Sequence, residues 1–283
     1  MANVARVLTI AGSDSGGCAG IQADLKTFGA LGVHGMTAIT SVTAQDSRRL
    51  HLTSDVALAS VKKQIEAVIE DIGVEAVKTG MLSSSAIISL VARKMRQFGV
   101  RQLVVDPVMV TTGGDFLLQE GAVETLKTEL LPLAQILTPN LREAEFLTQQ
   151  TICNEAEVKS AARRLFEMGP RSVVIKGGHF QNDRFSTDYF FEGRELIPFK
   201  APRISTKNTH GSGCTFASAI AAFLALGWEL RPAVQLAKEY VTEAIRHSFP
   251  MGQGNGPLGH FYRHWSVLVA EQDPERPINP TPL

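Results

Sequence analysis

Cysteine is scarce in this chain: Cys18, Cys153 and Cys214 are the only three among 283 residues. Three scattered thiols make neither a disulfide framework nor a zinc site, and the odd count leaves at least one free or paired outside the chain. Such usage points to a reducing, cytoplasmic setting. A charge excess is missing as well, with 28 Lys and Arg against 28 Asp and Glu. A dedicated binder of nucleic acid or of an anionic membrane needs a basic surplus, so neither partner is expected. Long apolar runs are absent. The longest, Ala219 to Leu226, is far below the roughly 20 residues of a membrane span. The short run from Val7 to Ala11 leads straight into a glycine loop and does not read as the core of a signal peptide.

Familiar phosphate-binding devices are missing too. The dipeptide Gly-Lys does not occur, which excludes a P-loop. After Gly12 the next-but-one residue is Asp14 rather than glycine, so the first loop is no dinucleotide fingerprint, and a dehydrogenase is excluded with it. The signature set of protein kinases is also absent.

What is present is a globular composition, 44% hydrophobic and 20% charged, with material for one large core. Short apolar runs alternate with helical periodicity. Strands are expected at Arg6 to Ala11, Met36 to Val42, Ala76 to Thr79, Gln102 to Val105, Gln135 to Thr138 and Ser172 to Lys176. Helices are expected at Ile21 to Leu31, Val56 to Ile69, Ala86 to Phe98, Leu117 to Leu131, Glu155 to Met168, Cys214 to Leu226 and Pro232 to His247. That rhythm implies right-handed βαβ units and a mainly parallel sheet covered on both faces. Phe185 to Ile197 breaks it: β-prone residues flank Glu192-Gly193, which predicts an antiparallel hairpin. Its aromatics suit either core packing or a subunit contact. Residues 1–270 read as a single domain, and the proline-rich segment 271–283 reads as a mobile tail.

One glycine loop stands out. Asn208-Thr209-His210-Gly211-Ser212-Gly213-Cys214-Thr215 opens an apolar helix. Backbone N–H groups at such a helix start can converge on an anion, aided by the helix dipole. Cys214 falls in the first turn, where a thiol pKa is expected to drop.

That octapeptide resembles the N-T-H-G-[ST]-G-C-T signature of the hydroxymethylpyrimidine and phosphomethylpyrimidine kinases of thiamine biosynthesis. Further segments are similar to the family's in the same order: Gly12 to Ser15 with Ala19 to Lys26, Val42 to Gln45, Lys78 to Leu82, Val105 to Met109, Thr138 to Glu145, Lys176 to His179 and Ala201 to Arg203. Together they cover about residues 6 to 265. The resemblance implies a three-layer α/β/α ribokinase-like fold with a small β-hairpin element. It implies ATP-dependent phosphorylation of 4-amino-5-hydroxymethyl-2-methylpyrimidine, then of its monophosphate. ATP and Mg²⁺ are the implied cofactors, and assistance by a monovalent cation stays open. The implied partners are the small pyrimidine and ATP, in a homodimer.

Residue by residue, the resemblance puts Cys214 beside the acceptor hydroxyl as a proton-handling or positioning residue. The amides around Gly211, Ser212 and Gly213 form the anion hole. Lys176, Asn140 and Thr209 serve ATP, and Asp106 and Glu143 hold the metal, partly through water. For the acceptor, Gln45 pairs with the aminopyrimidine edge, using the donor and acceptor of one carboxamide. Asp24 either accepts from the ring amino group or holds the loop. Gly12, Val42, Met81 and Val108 form apolar walls. The chain departs from the family pattern at Cys18 and Asp46, both near the acceptor. Two other readings stay open: a pyridoxal or pyridoxine kinase of the same superfamily, and a non-catalytic binder.

Overall fold

Alternation along the first strand sets the layers. In β1 (Arg6–Asp14), Leu8 and Ile10 face one apolar cluster and Val7 faces the other, as a period of two requires. The computed structural model describes residues 4–109, 117–119, 121–177 and 184–265. The proline-rich segment 271–283, Gly178 and His179 lie outside the described residues.

After β1 come α1 (Gly20–Ala30), β2 (His34–Gln45), β3 (Leu50–Asp55), α2 (Leu58–Asp71), β4 (Ala76–Thr79), α3 (Ser85–Gln97) and β5 (Leu103–Val105). Then follow α4 (Ala122–Thr125), β6 (Ile136–Leu137), α5 (Leu141–Thr148), α6 (Glu155–Glu167) and β7 (Val173–Lys176). Next come β8 (Phe185–Phe191), β9 (Leu196–Pro202), α7 (Ser212–Ala225) and α8 (Leu230–Arg246). The strands form one sheet of nine, in the order β3-β2-β1-β4-β5-β6-β7-β8-β9. Neighbours from β2 to β7 run parallel, while β3, β8 and β9 pair antiparallel at the two edges. Side chains of α2 to α6 fill the core on one face of the sheet and those of α1, α7 and α8 the core on the other.

The expected hairpin is β8 with β9, and Tyr189, Phe190 and Phe191 are buried in the core rather than offered as a contact surface. The helix expected from Leu117 to Leu131 is much shorter. It reduces to one turn, α4, followed by a wide π turn (Leu126–Leu130) and a 3₁₀ turn (Leu131–Leu133) that contains Pro132. Two elements had no counterpart in the periodicity. Strand β3 is mostly exposed and so lacks an apolar rhythm. Helix α5 is eight residues long, held at its start by a capping box between Asn140 and Glu143.

The sheet order reverses at β1. The chain leaves β1 for β2 on one side and returns to β4 on the other. In an open parallel sheet, the carboxyl ends of strands at such a reversal form a natural crevice.

Candidate active site

A cavity of about 440 Å³ opens at that crevice. It runs from Gly12 and Met81 at the ends of β1 and β4, past Asp106 and Lys176, to Lys238 and Ile245 on α8. The structure brings Cys214, Gly211, Ser212, Gly213, Gln45, Gly12, Met81, Val108, Lys176, Asn140, Thr209, Asp106 and Glu143 together on its walls.

The start of α7 is pressed against the first loop. Gly211 caps the helix at φ 84°, and a Cβ there would lie 1.8 Å from the Cys18 carbonyl oxygen. Only glycine fits that approach and that backbone. Ser212 does not offer its amide as expected, because its N–H donates to the Thr209 carbonyl oxygen at 3.2 Å; the first-turn amides of Gly213 and Cys214 are left to face the cavity. Lys176 reaches the same point: a Cβ on Gly213 would lie 3.2 Å from its Nζ. Lys176 Nζ also donates to Asp106 Oδ1 at 2.8 Å. Burial works against the Lys176 charge, but Asp106 and Glu143 outweigh it and its pKa rises. The result is a cationic, N–H-rich corner suited to phosphate oxygens.

Glu143 is 5% exposed and Asp106 2%. Burial, with Asp106 adding repulsion and Lys176 opposing, pushes the Glu143 carboxyl up to about 7. Glu143 Oε2 accepts from the Asn140 amide at 2.7 Å, and Asn140 Oδ1 accepts from the Glu143 amide at 2.9 Å. The oxygen of Asn140 is therefore occupied by the helix cap. Among the described residues no group of three or more His, Cys, Asp or Glu is gathered as a metal cage. Two neighbouring buried carboxylates that repel one another suit a hard divalent cation that takes its remaining ligands from water and phosphate.

Cys214 behaves differently from the expectation. Burial pushes its thiol up to about 11. Asp24 and Asp106 add to the rise, while Lys78 and the Gly20 amide pull the other way. Desolvation of the thiolate outweighs the helix start, so the thiol keeps its proton at neutral pH. Lys78 is fully buried and still borders the cavity. Burial opposes its charge, but Asp24, Cys214 and Asp106 outweigh that and raise its pKa.

Asp24 is not an acceptor contact. It is 0% exposed and lies beneath the cavity rather than on its wall. Its oxygens accept from Lys78 Nζ at 2.9 and 3.0 Å, from Thr9 Oγ1 at 2.6 Å and from Ser218 Oγ at 2.6 Å. It ties α1 to β1, β4 and α7. Val42 is corrected too: it is 50% exposed and does not line the cavity. A β-bulge in β2 is the reason. Ala11 pairs with Ile39 but Ser13 pairs with Val42, so one residue is inserted and the alternation reverses. Thr43 and Gln45 then face the cavity.

Several wall residues escaped the sequence reading. His210 contacts Gln45. Lys238 donates to Asp188 Oδ2 at 2.8 Å at the far end, beside Pro202, Ile204, Val241 and Ile245. These four residues give that end of the cavity an apolar lining. Their signal was an ordinary helix face and strand end.

A profile of the phosphomethylpyrimidine kinase family matches residues 14–259. A hydroxymethylpyrimidine/phosphomethylpyrimidine kinase of Bacillus subtilis is 46% identical over 259 residues, 92% of this chain and 96% of that one. A thiamine biosynthesis bifunctional protein, ThiED, of Geobacter sulfurreducens is 49% identical over 270 residues, 95% of this chain. The chain spans about half of that longer relative, 54%. Among solved structures, a phosphomethylpyrimidine kinase of Clostridium difficile superposes with a TM-score of 0.76 at 43% identity, covering 85% of this chain and 99% of that one. A Bacillus subtilis pyridoxal kinase in complex with ADP gives 0.86 at 38% identity, covering 91% and 98%. The fold is the ribokinase-like one these neighbours share.

Proposed function

The chain belongs to the phosphomethylpyrimidine kinase family, and on that premise we propose that it phosphorylates 4-amino-5-hydroxymethyl-2-methylpyrimidine with ATP. A second phosphoryl transfer to the monophosphate then gives the diphosphate used to build thiamine. One observation carries the reading: Cys214, Lys176 and the first turn of α7 meet in the middle of a single cavity. Gln45 borders it at one end and Lys238 at the other.

In this mechanism Gln45 holds the aminopyrimidine edge, while Gly12, Met81 and Val108 flank the ring. The apolar end near Val241 and Ile245 takes the adenine. The amides of Gly213 and Cys214, with Lys176, receive the γ-phosphoryl oxygens. Asp106 and Glu143 are the residues that would hold Mg²⁺. When bound, the ion supplies charge neutralisation for the phosphates. The acceptor oxygen bonds to phosphorus as the bond to ADP breaks. Because that transition state is loose, the hydroxyl proton leaves late, to an oxygen of the transferred phosphoryl group. Cys214 keeps its own proton at neutral pH and so orients the hydroxyl first, with Lys78 beneath it favouring negative charge as it develops.

The reading takes residues 1–270 as one kinase domain, working as a homodimer in the cytoplasm. No helix among the described residues is long and apolar enough to cross a membrane. Pyridoxal phosphorylation is the second reading, favoured by the higher TM-score to a pyridoxal kinase, 0.86 against 0.76.

The test mixes purified protein, ATP and Mg²⁺ with the pyrimidine, its monophosphate or pyridoxal, and follows product masses. Both pyrimidine products with little from pyridoxal are expected. Turnover of pyridoxal alone would retain the phosphate machinery and overturn the acceptor assignment.

A further inference from the structure

The Gln45 carboxamide has a fixed neighbour. Its Nε2 lies 3.1 Å from His210 Nε2. An amide nitrogen donates and does not accept, so the ring nitrogen is the acceptor and the imidazole proton sits on Nδ1. His210 is buried, and burial lowers its pKa against the opposing charge of Asp14, which keeps the ring neutral. The backbone of Gln45 is anchored independently. Its N–H donates to Ser15 Oγ at 2.9 Å, and Ser15 Oγ lies 3.0 Å from the Gln45 carbonyl oxygen. Gln45 Oε1 has no partner among the described residues, and the side chain borders the cavity.

We infer that His210 is a positioning residue that fixes which way round the Gln45 carboxamide faces the acceptor ring. One N–H of the amide is committed to His210. The other N–H and Oε1, side by side, remain for the adjacent acceptor and donor on an aminopyrimidine edge. Turning the amide over would bring Oε1 against the lone pair of His210 Nε2, two acceptors facing one another. With its proton on Nδ1 the imidazole holds the amide in one order of donor and acceptor, and so favours a ring that carries the complementary order; a proton moved to Nε2 would go with the amide turned over. Gln45 and His210 are 165 residues apart in sequence, and the contact forms only because the end of β2 and the loop before α7 close the same end of the cavity. The inference rests on the reading of Gln45 as the ring contact.

A double-mutant cycle tests it, with the hydroxymethylpyrimidine as the varied substrate. His210→Leu removes the acceptor while keeping an apolar side chain, and His210→Phe serves if that variant is poorly folded. Either is expected to raise pyrimidine KM about tenfold, with kcat and ATP KM within about twofold and Tm little changed. His210→Gln, whose carbonyl can replace the ring acceptor, should recover most of the loss. In a Gln45→Ala background, His210→Leu should add less than about twofold, because the group it orients is gone. An undiminished rise in that background would overturn the inference, since His210 would then act without Gln45. An unchanged KM for His210→Leu with Gln45 intact would overturn it equally. Failure of the underlying reading is distinct: Gln45→Ala alone would leave pyrimidine KM unchanged.

Discussion

Lys176 Nζ lies 2.8 Å from Asp106 Oδ1, joining the end of β7 to the end of β5 across the intervening strand β6. The pair sits where the first turn of α7 enters the cavity, so one lysine has two tasks: it neutralises a carboxylate that is 2% exposed, and it is available to a phosphate.

Lys176→Ala separates those tasks. Removing one partner of a buried pair costs about 3–5 kcal/mol, and the 15% exposure of the Lys176 side chain favours the lower end. Thermal melting should register that loss even without ligand. ATP KM should rise at least tenfold and kcat should fall. Normal ATP kinetics in a destabilised protein would leave Lys176 with a structural task alone.

Asp24 lies beneath the same centre, and its replacement should act through the fold. Asp24→Asn keeps the shape but leaves Lys78 buried without its counter-charge. A loss of about 3–5 kcal/mol is expected in denaturant titration. At a temperature where the variant stays folded, pyrimidine KM should remain within about twofold. A large rise in KM at full stability would return Asp24 to the acceptor site.

Lys176 and Asp24 illustrate what the sequence carried. Asp106, Lys176, Gly211 and Cys214 were legible because each sits in a short segment at a strand or helix end, where local chain geometry decides the placement. The βα rhythm likewise announced the parallel sheet. Val42 was misread because a one-residue bulge between Ala11 and Ser13 on one strand and Ile39 and Val42 on the other reverses the faces, and no residue type marks it. Lys238, and the contact of His210 with Gln45, were missed because the partners lie 50 and 165 residues away in sequence. Helix α5 was hidden by its length, although Asn140 and Glu143 stand at capping-box spacing.

Cys214 offers a test by pH. Its folded pKa, about 11, lies above its unfolded value, so the folded state holds the proton more tightly. Stability contributed by this group is full below pH 9 and is lost as pH rises towards 11. Alkylation of Cys214 by iodoacetamide, followed by mass spectrometry, should therefore climb with pH through about 11, not through the usual 8.5. Lys78→Met should move the climb higher still. Cys214→Ala should lower kcat about 10²-fold or more with a modest change in pyrimidine KM. A climb near 8.5 would contradict the burial argument, and an unchanged kcat would remove Cys214 from the reaction.

Two glycines two residues apart should respond in opposite ways. Gly211→Ala would put a methyl 1.8 Å from the Cys18 carbonyl oxygen at φ 84°, a backbone clash that no side-chain adjustment relieves. Poor folding, or a loss of several kcal/mol in denaturant titration, is expected. Gly213→Ala meets only the far end of Lys176, 3.2 Å away, and Asp106 Oδ2 at 4.0 Å. Its backbone is helical, so alanine there stabilises the first turn by up to about 0.5–1 kcal/mol. The same methyl occupies the space through which a phosphate oxygen reaches the amides and Lys176. Tm should hold or rise, while ATP KM rises at least tenfold and kcat falls. A Gly213→Ala enzyme with undisturbed ATP kinetics would mean that the phosphoryl group does not approach the first turn of α7, and the anion hole would have to be sought elsewhere along the cavity.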